Sequence, residues 1–379
     1  MNSKRISVIQ LLPELNEGGV ERGVVELNRE FVLRGIESHV ISKGGRLVDQ
    51  INTDGGYHHT LNICDKNPLI LPLRIYQLRK LITLINPNII HARSRYPAWI
   101  TWFANRPLGI PFVTTVHGMN SINAYSRIMT KGDKVICVSE VVQKYIIDAY
   151  SVDQGKIFVI QRGADLKYFD PKVSSAEFTH SFQKRYRLNH AFVVASIGRI
   201  TWLKDYETFI KAISRCRDQI PNIIGLIIGG ARQDKTEYLE SLKEIVHEEG
   251  AENCIHFVGN QTKVAEIYQL SDLVVNGSIK MGNVGRTVVE ALAMNTPVLC
   301  TTFKDLDNVI EEGRNGYIIE TRNVEDLVEK IIRVHRKPIT ETRSSIPATF
   351  TLETMVRETI QLYTSLLNDK SGFPKDNEP

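Results

Sequence analysis

Short apolar runs alternate with amphipathic stretches along most of the chain. Val20, Val24, Leu27 and Phe31 recur at helical spacing, and Gly35 follows as a stop signal. Buried strands are predicted at runs that include ISVIQLL (6–12), NIIHA (88–92), AFVVASIG (191–198) and NIIGLIIGG (222–230). This alternation of strands and helices predicts α/β structure with parallel, doubly wound sheets.

The alternating pattern is interrupted once and then restarts, which predicts two domains. Residues 1–170 form the first Rossmann-like domain, and residues 191–345 form the second. The polar stretch 171–190 between them is predicted to be a linker. A last helical segment, 352–368, precedes a polar tail, 369–379, that we expect to be disordered. Two such sheets would face each other across a central cleft at their strand ends, where doubly wound sheets bind ligands.

The composition narrows the class of protein and the compartment. The 379 residues carry a net charge of only +4, which argues against nucleic-acid binding and is compatible with an anionic ligand or membrane surface. The five cysteines are far apart and form no Cys-x-x-Cys pair, so neither a zinc site nor a disulfide framework is predicted. Reduced thiols and the lack of a signal-peptide pattern predict a cytoplasmic protein.

Glycine and basic residues stand at several predicted strand–helix junctions. Gly19 follows the first strand, Arg199 and Lys204 follow the first strand of the second domain, and Gly285 precedes another helix. Glycine lets a ligand approach the backbone, helix N-termini present free N–H groups, and basic side chains neutralise phosphate. Neither GxGxxG nor GxxxxGK[ST] occurs at these junctions, which disfavours a dehydrogenase or a P-loop nucleotidase.

Two longer segments carry a family resemblance. The segment SIKMGNVGRTVVEALAMNTPVL (278–299) resembles the signature of the retaining glycosyltransferases of family four, and SIGRITWLKDYETFI (196–210) is similar to their donor-phosphate motif. Further similar segments follow the family's order: HARSRYPAW (91–99), TTVHG (114–118), CVSE (137–140) and RGADLKYFDP (162–171). The resemblance implies the GT-B fold, with the final helix returning to the N-terminal domain.

On the donor side, the resemblance implies roles for six residues of the second domain: Arg199, Lys204, Gly285, Arg286, Thr287 and Glu290. Arg199 and Lys204 would bind the donor diphosphate and act in catalysis. The three residues from 285 to 287 would present a helix N-terminus to the phosphates and the sugar. Glu290 would accept hydrogen bonds from the ribose hydroxyls.

In the first domain, Gly19 would let the N-terminal loop approach the diphosphate, and His117 would line the sugar site as a catalytic residue. Arg93 and Arg95 follow a strand near the expected acceptor and are predicted on the acceptor side. Three further basic residues, Arg74, Arg79 and Lys80, lie on a helix predicted at 71–85 beside an apolar stripe. This helix is predicted to attach weakly to an anionic membrane surface.

The sequence departs from the family pattern near the transferred sugar. Gly282 stands where the family usually has the first glutamate of its Glu-x7-Glu motif, and we expect this position to lie at the donor sugar. Residues 304, 305 and 308 replace a usual Gly-Gly and glutamate. Asp305 and Asp307 spell a DxD motif, but that motif belongs to a different fold, so neither a metal nor another cofactor is expected.

The combined expectation is a metal-independent, retaining hexosyltransferase. Its donor would be a nucleotide diphosphate sugar, with UDP favoured over GDP, and its acceptor a glycan or lipid-linked glycan of lipopolysaccharide or surface polysaccharide. Two alternatives stay open. The departure at Gly282 is compatible with a non-enzymatic sugar-nucleotide-binding subunit, and sugar-nucleotide epimerases share the two-domain architecture.

Overall fold

A computed structural model describes residues 6–16, 18–65, 67–173, 175–231, 236–279, 285–301 and 309–371. The chain divides into two compact units. Unit 1 contains residues 1–162 together with residues 352–379, and unit 2 contains residues 163–351. The first domain was predicted to extend to residue 170, whereas the division falls after Arg162.

Unit 1 is built on a seven-stranded sheet in which every adjacent pair is parallel. In chain order its strands are β1 (Ser7–Leu11), β2 (Glu37–Ser42), β3 (Tyr57–Thr60), β4 (Ile89–Ala92), β5 (Phe112–Val116), β6 (Lys134–Cys137) and β7 (Ile157–Val159). The spatial order is β3-β2-β1-β4-β5-β6-β7. The order reverses between β1 and β4, and such reversal points are where doubly wound sheets bind ligands.

Among the described residues, the α-helices of unit 1 are α1 (Gly19–Leu33), α2 (Val48–Thr53), α3 (Leu71–Ile85), α4 (Arg95–Asn105), α5 (Glu140–Tyr150) and, from the chain end, α12 (Leu352–Ser371). The apolar stripe predicted for α1 is buried at Val24, Leu27 and Phe31. Leu27 and Phe31 pack in one cluster with Val356 and Tyr363 of α12. The last helix therefore belongs to the core of unit 1, as predicted, and it extends to residue 371, into the predicted tail.

Unit 2 repeats the same topology with a six-stranded parallel sheet. Its strands are β8 (Phe192–Ile197), β9 (Ile223–Ile228), β10 (Ile255–Gly259), β11 (Leu273–Asn276), β12 (Val298–Thr301) and β13 (Gly316–Ile319). The order β10-β9-β8-β11-β12-β13 reverses between β8 and β11. The prediction of two doubly wound, Rossmann-like units is confirmed.

The helices of unit 2 are α6 (Ala176–Tyr186), α7 (Tyr206–Cys216), α8 (Glu237–Glu248), α9 (Val264–Gln269), α10 (Arg286–Ala293) and α11 (Val324–Arg336). The stretch 171–190, predicted as a linker, contains α6. Ser175 caps this helix by accepting a hydrogen bond from the backbone of Phe178, and Phe182 and Tyr186 pack into the unit 2 core. Aromatic residues at positions 178, 182 and 186 share one helix face, which explains the burial despite the polar composition.

Candidate functional site

In unit 2, side chains from two strand ends meet at the point where the strand order reverses. Lys204 follows β8, and its Nζ donates a hydrogen bond of 3.0 Å to Ser278 Oγ, which follows β11. The Lys204 side chain passes over Gly198, where an added Cβ would lie 3.1 Å from Lys204 Cε. The lack of a side chain at Gly198 therefore leaves room for the lysine to cross the end of the sheet.

A chain of hydrogen bonds continues from this lysine to the start of α10. Ser278 Oγ donates to Asn276 Oδ1 over 2.8 Å, and Asn276 Nδ2 donates to Thr287 Oγ1 over 3.0 Å. Gly285 caps α10, and a Cβ at that position would lie 2.5 Å from Asn276 Nδ2. At the C-terminal ends of the strands, hydrogen bonds thus link the lysine ammonium group to the N-terminus of α10. Both groups favour the binding of an anion.

The two basic residues of this edge differ in exposure. Arg199 is exposed, whereas Lys204 is half-buried. Burial, assisted by the positive charge of Arg199, lowers the pKa of Lys204 to about 8. The charged ammonium is therefore less stable here than in water, and an anion bound beside it would stabilise it.

Glu290, predicted to bind ribose, is buried on α10. Its carboxylate accepts a hydrogen bond of 3.0 Å from Tyr268 Oη and lies 3.4 Å from Arg286 Nε. Both side chains of this ion pair are less than a tenth exposed. Glu290 is thus held in place by Tyr268 and Arg286. To bind a ribose, its carboxylate would have to accept a further hydrogen bond from a ribose hydroxyl.

In unit 1, the reversal point brings a different basic residue to the start of α1. Gly19 is the first residue of α1, and a Cβ there would lie 3.2 Å from Arg162 Nη1. Arg162 follows β7 in the segment RGADLKYFDP, but the sequence analysis gave it no role. A guanidinium beside a helix N-terminus adds positive charge to the positive end of the helix dipole. This corner of unit 1 therefore favours anions.

His117 lies just after β5 and is half-buried. Burial, together with the positive charges of Arg162 and Arg93, holds the pKa of His117 well below its ordinary value. The imidazole is consequently neutral near pH 7 and can exchange hydrogen bonds with hydroxyl groups without carrying charge.

Arg93, predicted on the acceptor side, is only 8% exposed and lies within a buried polar network. Its guanidinium donates to Gln10 Oε1 over 3.0 Å and to Thr115 Oγ1 over 3.1 Å. His91 contacts Thr115 Oγ1 at 2.6 Å and Tyr363 Oη of α12 at 2.5 Å. This network ties three central strands to the final helix, which is a structural role that the sequence did not reveal.

The other predicted basic residues of unit 1 are dispersed. Arg95 donates to Ser126 Oγ over 3.2 Å and lies over the Tyr125 ring, so its partners differ from those of Arg93. Arg74 is buried and paired with Asp65 at 2.9 Å, and Arg79 donates to the carbonyls of α4. The predicted stripe of three docking charges on α3 is therefore wrong, because only Lys80 points freely to solvent.

Some predicted positions lie outside the described residues. These are Gly282, Lys304, Asp305, Asp307 and Asn308. Within the described ranges, no group of three or more His, Cys, Asp or Glu side chains is arranged to hold a metal ion. In the same part of the chain, no helix is both long and apolar enough to span a bilayer.

Sequence reasoning missed Ser278, Asn276, Tyr268 and Arg162. Ser278 and Asn276 lie at the end of a predicted strand, in NGS, so their position at a strand terminus was an available signal. Tyr268 lies far from Glu290 in the chain, and only the packing of α9 against α10 brings them together.

Comparison with known proteins agrees with this arrangement. The family model described as Glycosyl transferases group 1 matches residues 179–347, and the model described as Glycosyltransferase Family 4 matches residues 17–168. A crystal structure of a glycosyltransferase from Rickettsia africae ESF-5 is 28% identical, with a TM-score of 0.86 over 97% of this chain and 100% of that chain.

More distant proteins are similar in fold or in sequence. Anabaena HepE in complex with UDP-glucose is 18% identical, with a TM-score of 0.83 over 95% of this chain and 100% of that one. A D-inositol 3-phosphate glycosyltransferase of Gordonia bronchialis is 24% identical over 274 residues. That match covers 66% of this chain and 59% of the relative, so the chain spans less than two thirds of the curated relative's length.

Proposed function

We propose, from the premise that this chain belongs to the family-four glycosyltransferases of the GT-B fold, that it transfers a sugar from a nucleoside diphosphate donor. The observation that carries the proposal is the hydrogen-bonded path Lys204–Ser278–Asn276–Thr287 at the reversal point of unit 2. It places an ammonium group and a helix N-terminus at one sheet edge, which suits a diphosphate. Because HepE is described in complex with UDP-glucose, a UDP-sugar is the preferred donor.

In the proposed reaction, the bond between the anomeric carbon and the β-phosphate oxygen breaks, and an acceptor hydroxyl oxygen forms the new bond on the same face. The proton of that hydroxyl passes to the departing phosphate. Negative charge grows on the diphosphate in the transition state, and Lys204, Arg199 and the N-terminus of α10 would stabilise it. Retention of configuration needs no protein nucleophile in this scheme, and it requires no metal.

His117 would contact the sugar in this reaction. Its pKa is far below the ordinary value, so the ring is neutral at neutral pH. A neutral imidazole can exchange hydrogen bonds with a sugar hydroxyl without carrying a charge of its own. The acceptor that we propose is a glycan or lipid-linked glycan of a bacterial surface polysaccharide, and the protein would act in the cytoplasm.

The test is an assay of the purified chain with a panel of UDP- and GDP-sugars and a lipid extract, with and without EDTA. We expect release of UDP, a labelled lipid product, and unchanged rates in EDTA. Binding of a donor without release of nucleotide would instead support a binding subunit, and recovery of an epimerised donor would support an epimerase. Loss of turnover in EDTA that Mg²⁺ restores would overturn the metal-independent scheme.

A further inference from the structure

Charge is distributed very unevenly along this chain. Residues 66–132 contain nine lysine and arginine residues and no aspartate or glutamate. All 43 acidic residues lie elsewhere, so the rest of the chain is net negative although the whole chain is +4. The segment contains α3, β4, α4 and β5 of unit 1. We call its solvent-exposed part the acid-free surface.

One face of α3 on this surface is apolar and exposed. Leu73, Tyr76 and Leu84 are 55%, 62% and 81% exposed, exposed Lys80 lies among them, and Leu69 in the turn just before α3 is 87% exposed. Their spacing of three or four residues places them on one side of the helix. The opposite side, which includes Leu78 and Ile82, is buried in the core. The exposed side chains are therefore not a continuation of the core.

Other exposed apolar side chains lie in the same segment. Phe103 is on α4, which packs against α3, whereas Met119 and Ile122 are in the loop after β5. Seven of the thirteen exposed large apolar side chains among the described residues lie within the acid-free segment. Exposed Arg106, Arg127 and Lys131 are in the same segment. Exposed apolar side chains that lie together mark an interaction site, and α3 carries three of them on one face.

We propose that the acid-free surface docks on an anionic phospholipid bilayer, with the leucines and Tyr76 entering the headgroup region. Apolar side chains on one helix face match an anionic interface in polarity. The segment also matches it in charge, because it holds no acidic residue and Asp65, just before it, is paired with Arg74. A second copy of this chain fits less well. A two-fold contact would bring the basic residues of both copies together, and the segment itself has no carboxylate to pair with them.

Membrane docking rests on the proposed function, because a transferase with a lipid-linked acceptor has to meet that acceptor at a membrane. It also replaces the predicted contribution of Arg74 and Arg79, which are used inside the fold. Attachment is assigned instead to exposed apolar side chains, with Lys80, Arg127 and Lys131 supplying the charge.

The experiment is co-sedimentation of the full chain with two kinds of vesicle. One consists of phosphatidylcholine alone, and the other of phosphatidylcholine with about 30% anionic phosphatidylglycerol. The apolar variant combines Leu69→Ser, Leu73→Ser and Tyr76→Ser. Its matched control is Leu33→Ser, which removes a leucine of unit 1 that is 72% exposed but outside the segment. The charge variant combines Lys80→Glu, Arg127→Glu and Lys131→Glu, with exposed Lys144→Glu as its control. Thermal unfolding verifies that each variant folds.

We expect the parent and both controls to bind anionic vesicles, and the two combined variants to lose at least about tenfold in partitioning. Equal partitioning of parent and apolar variant, or equal binding to both vesicle types, would overturn the proposal. So would a dimer in light scattering that the apolar variant converts to a monomer. If the apolar variant does not fold, Tyr76→Trp provides a second measurement. The emission that remains after subtracting the parent, with its three tryptophans, must shift to the blue only with anionic vesicles.

Release of nucleotide from a UDP-sugar is measured in parallel, without vesicles. Vesicle binding by a chain that does not use any nucleotide sugar would support the docking surface and contradict the proposed function. Turnover by a chain that does not bind vesicles would support the proposed function and contradict the docking surface.

Discussion

The two sheets reverse their strand order in the same way, yet they use basic residues differently at that point. In unit 1, Arg93 is buried and donates its hydrogen bonds to Gln10 and Thr115. In unit 2, Lys204 stays half-buried and Arg199 exposed, at the edge where a ligand can reach them. A cation bound by the protein's own acceptors stabilises the fold, whereas a cation left at the edge is available to a ligand. Topology therefore locates the site, and burial decides which residues belong to it.

The largest expected effect comes from Lys204. Lys204→Ala should lower turnover about 10²–10³-fold, because one charge-stabilising contact to the transition state is lost. Steady-state rates with the preferred UDP-sugar measure this, and unchanged thermal unfolding would show that the fold is intact. A rate within about twofold of the parent would remove Lys204 from the site.

Arg93 should behave in the opposite way. Arg93→Met leaves the Gln10 acceptor buried without its donor, which should lower the free energy of unfolding by about 1–3 kcal/mol. Urea unfolding followed by circular dichroism measures the change, and UDP binding to the folded variant should be unaffected. If Arg93→Met instead abolished UDP binding without loss of stability, the contrast between the two edges would fail.

The lowered pKa of Lys204 makes donor binding depend on pH. Its value of about 8 means that the free protein loses this positive charge as the pH rises from 7 to 9. UDP affinity should then fall by up to about tenfold per pH unit above 8, because binding requires the ammonium form. Calorimetric titration at three pH values measures it. Lys204→Arg is the control, since arginine stays charged and should remove this dependence.

The same shift has the opposite sign for stability. Between about pH 8 and its ordinary value, Lys204 binds fewer protons in the folded than in the unfolded chain. This residue's contribution to the free energy of unfolding therefore rises with pH across that window, while UDP binding weakens. A parallel fall of both quantities in the parent, absent in Lys204→Arg, would contradict the assignment.

The smallest effect is expected at the cap of α10. Gly285→Ala places a Cβ 2.5 Å from Asn276 Nδ2, so the amide must move away from Thr287. Losing one such hydrogen bond costs about 0.5–1.5 kcal/mol, and UDP affinity should fall about two- to tenfold. Gly277→Ala is a suitable control, because its Cβ would meet only ordinary contacts. Equal affinities in both variants would show that the cap does not position the donor site.

Three edge strands and three helices were missed by sequence reasoning. No strand was predicted at β3, β7 or β13, and no helix at α2, α4 or α6. The β3 sequence YHHT lacks aliphatic residues, and its side chains are half-buried or exposed at the edge of the sheet. An edge strand is completed by hydrogen bonds to one neighbour, so its own apolar pattern is weak.

The sequence by itself determined the order of alternating strands and helices, the two doubly wound sheets and the glycine and basic residues at their strand ends. These features follow from local periodicity and turn chemistry, which neighbouring residues determine. Only the tertiary structure decided that Arg93 and Arg74 are paired with partners inside the fold. It also decided that Lys204 donates to Ser278 and that Tyr363 contacts His91. Those outcomes depend on which distant residues share a surface, because burial and hydrogen-bond partners are properties of the packed chain.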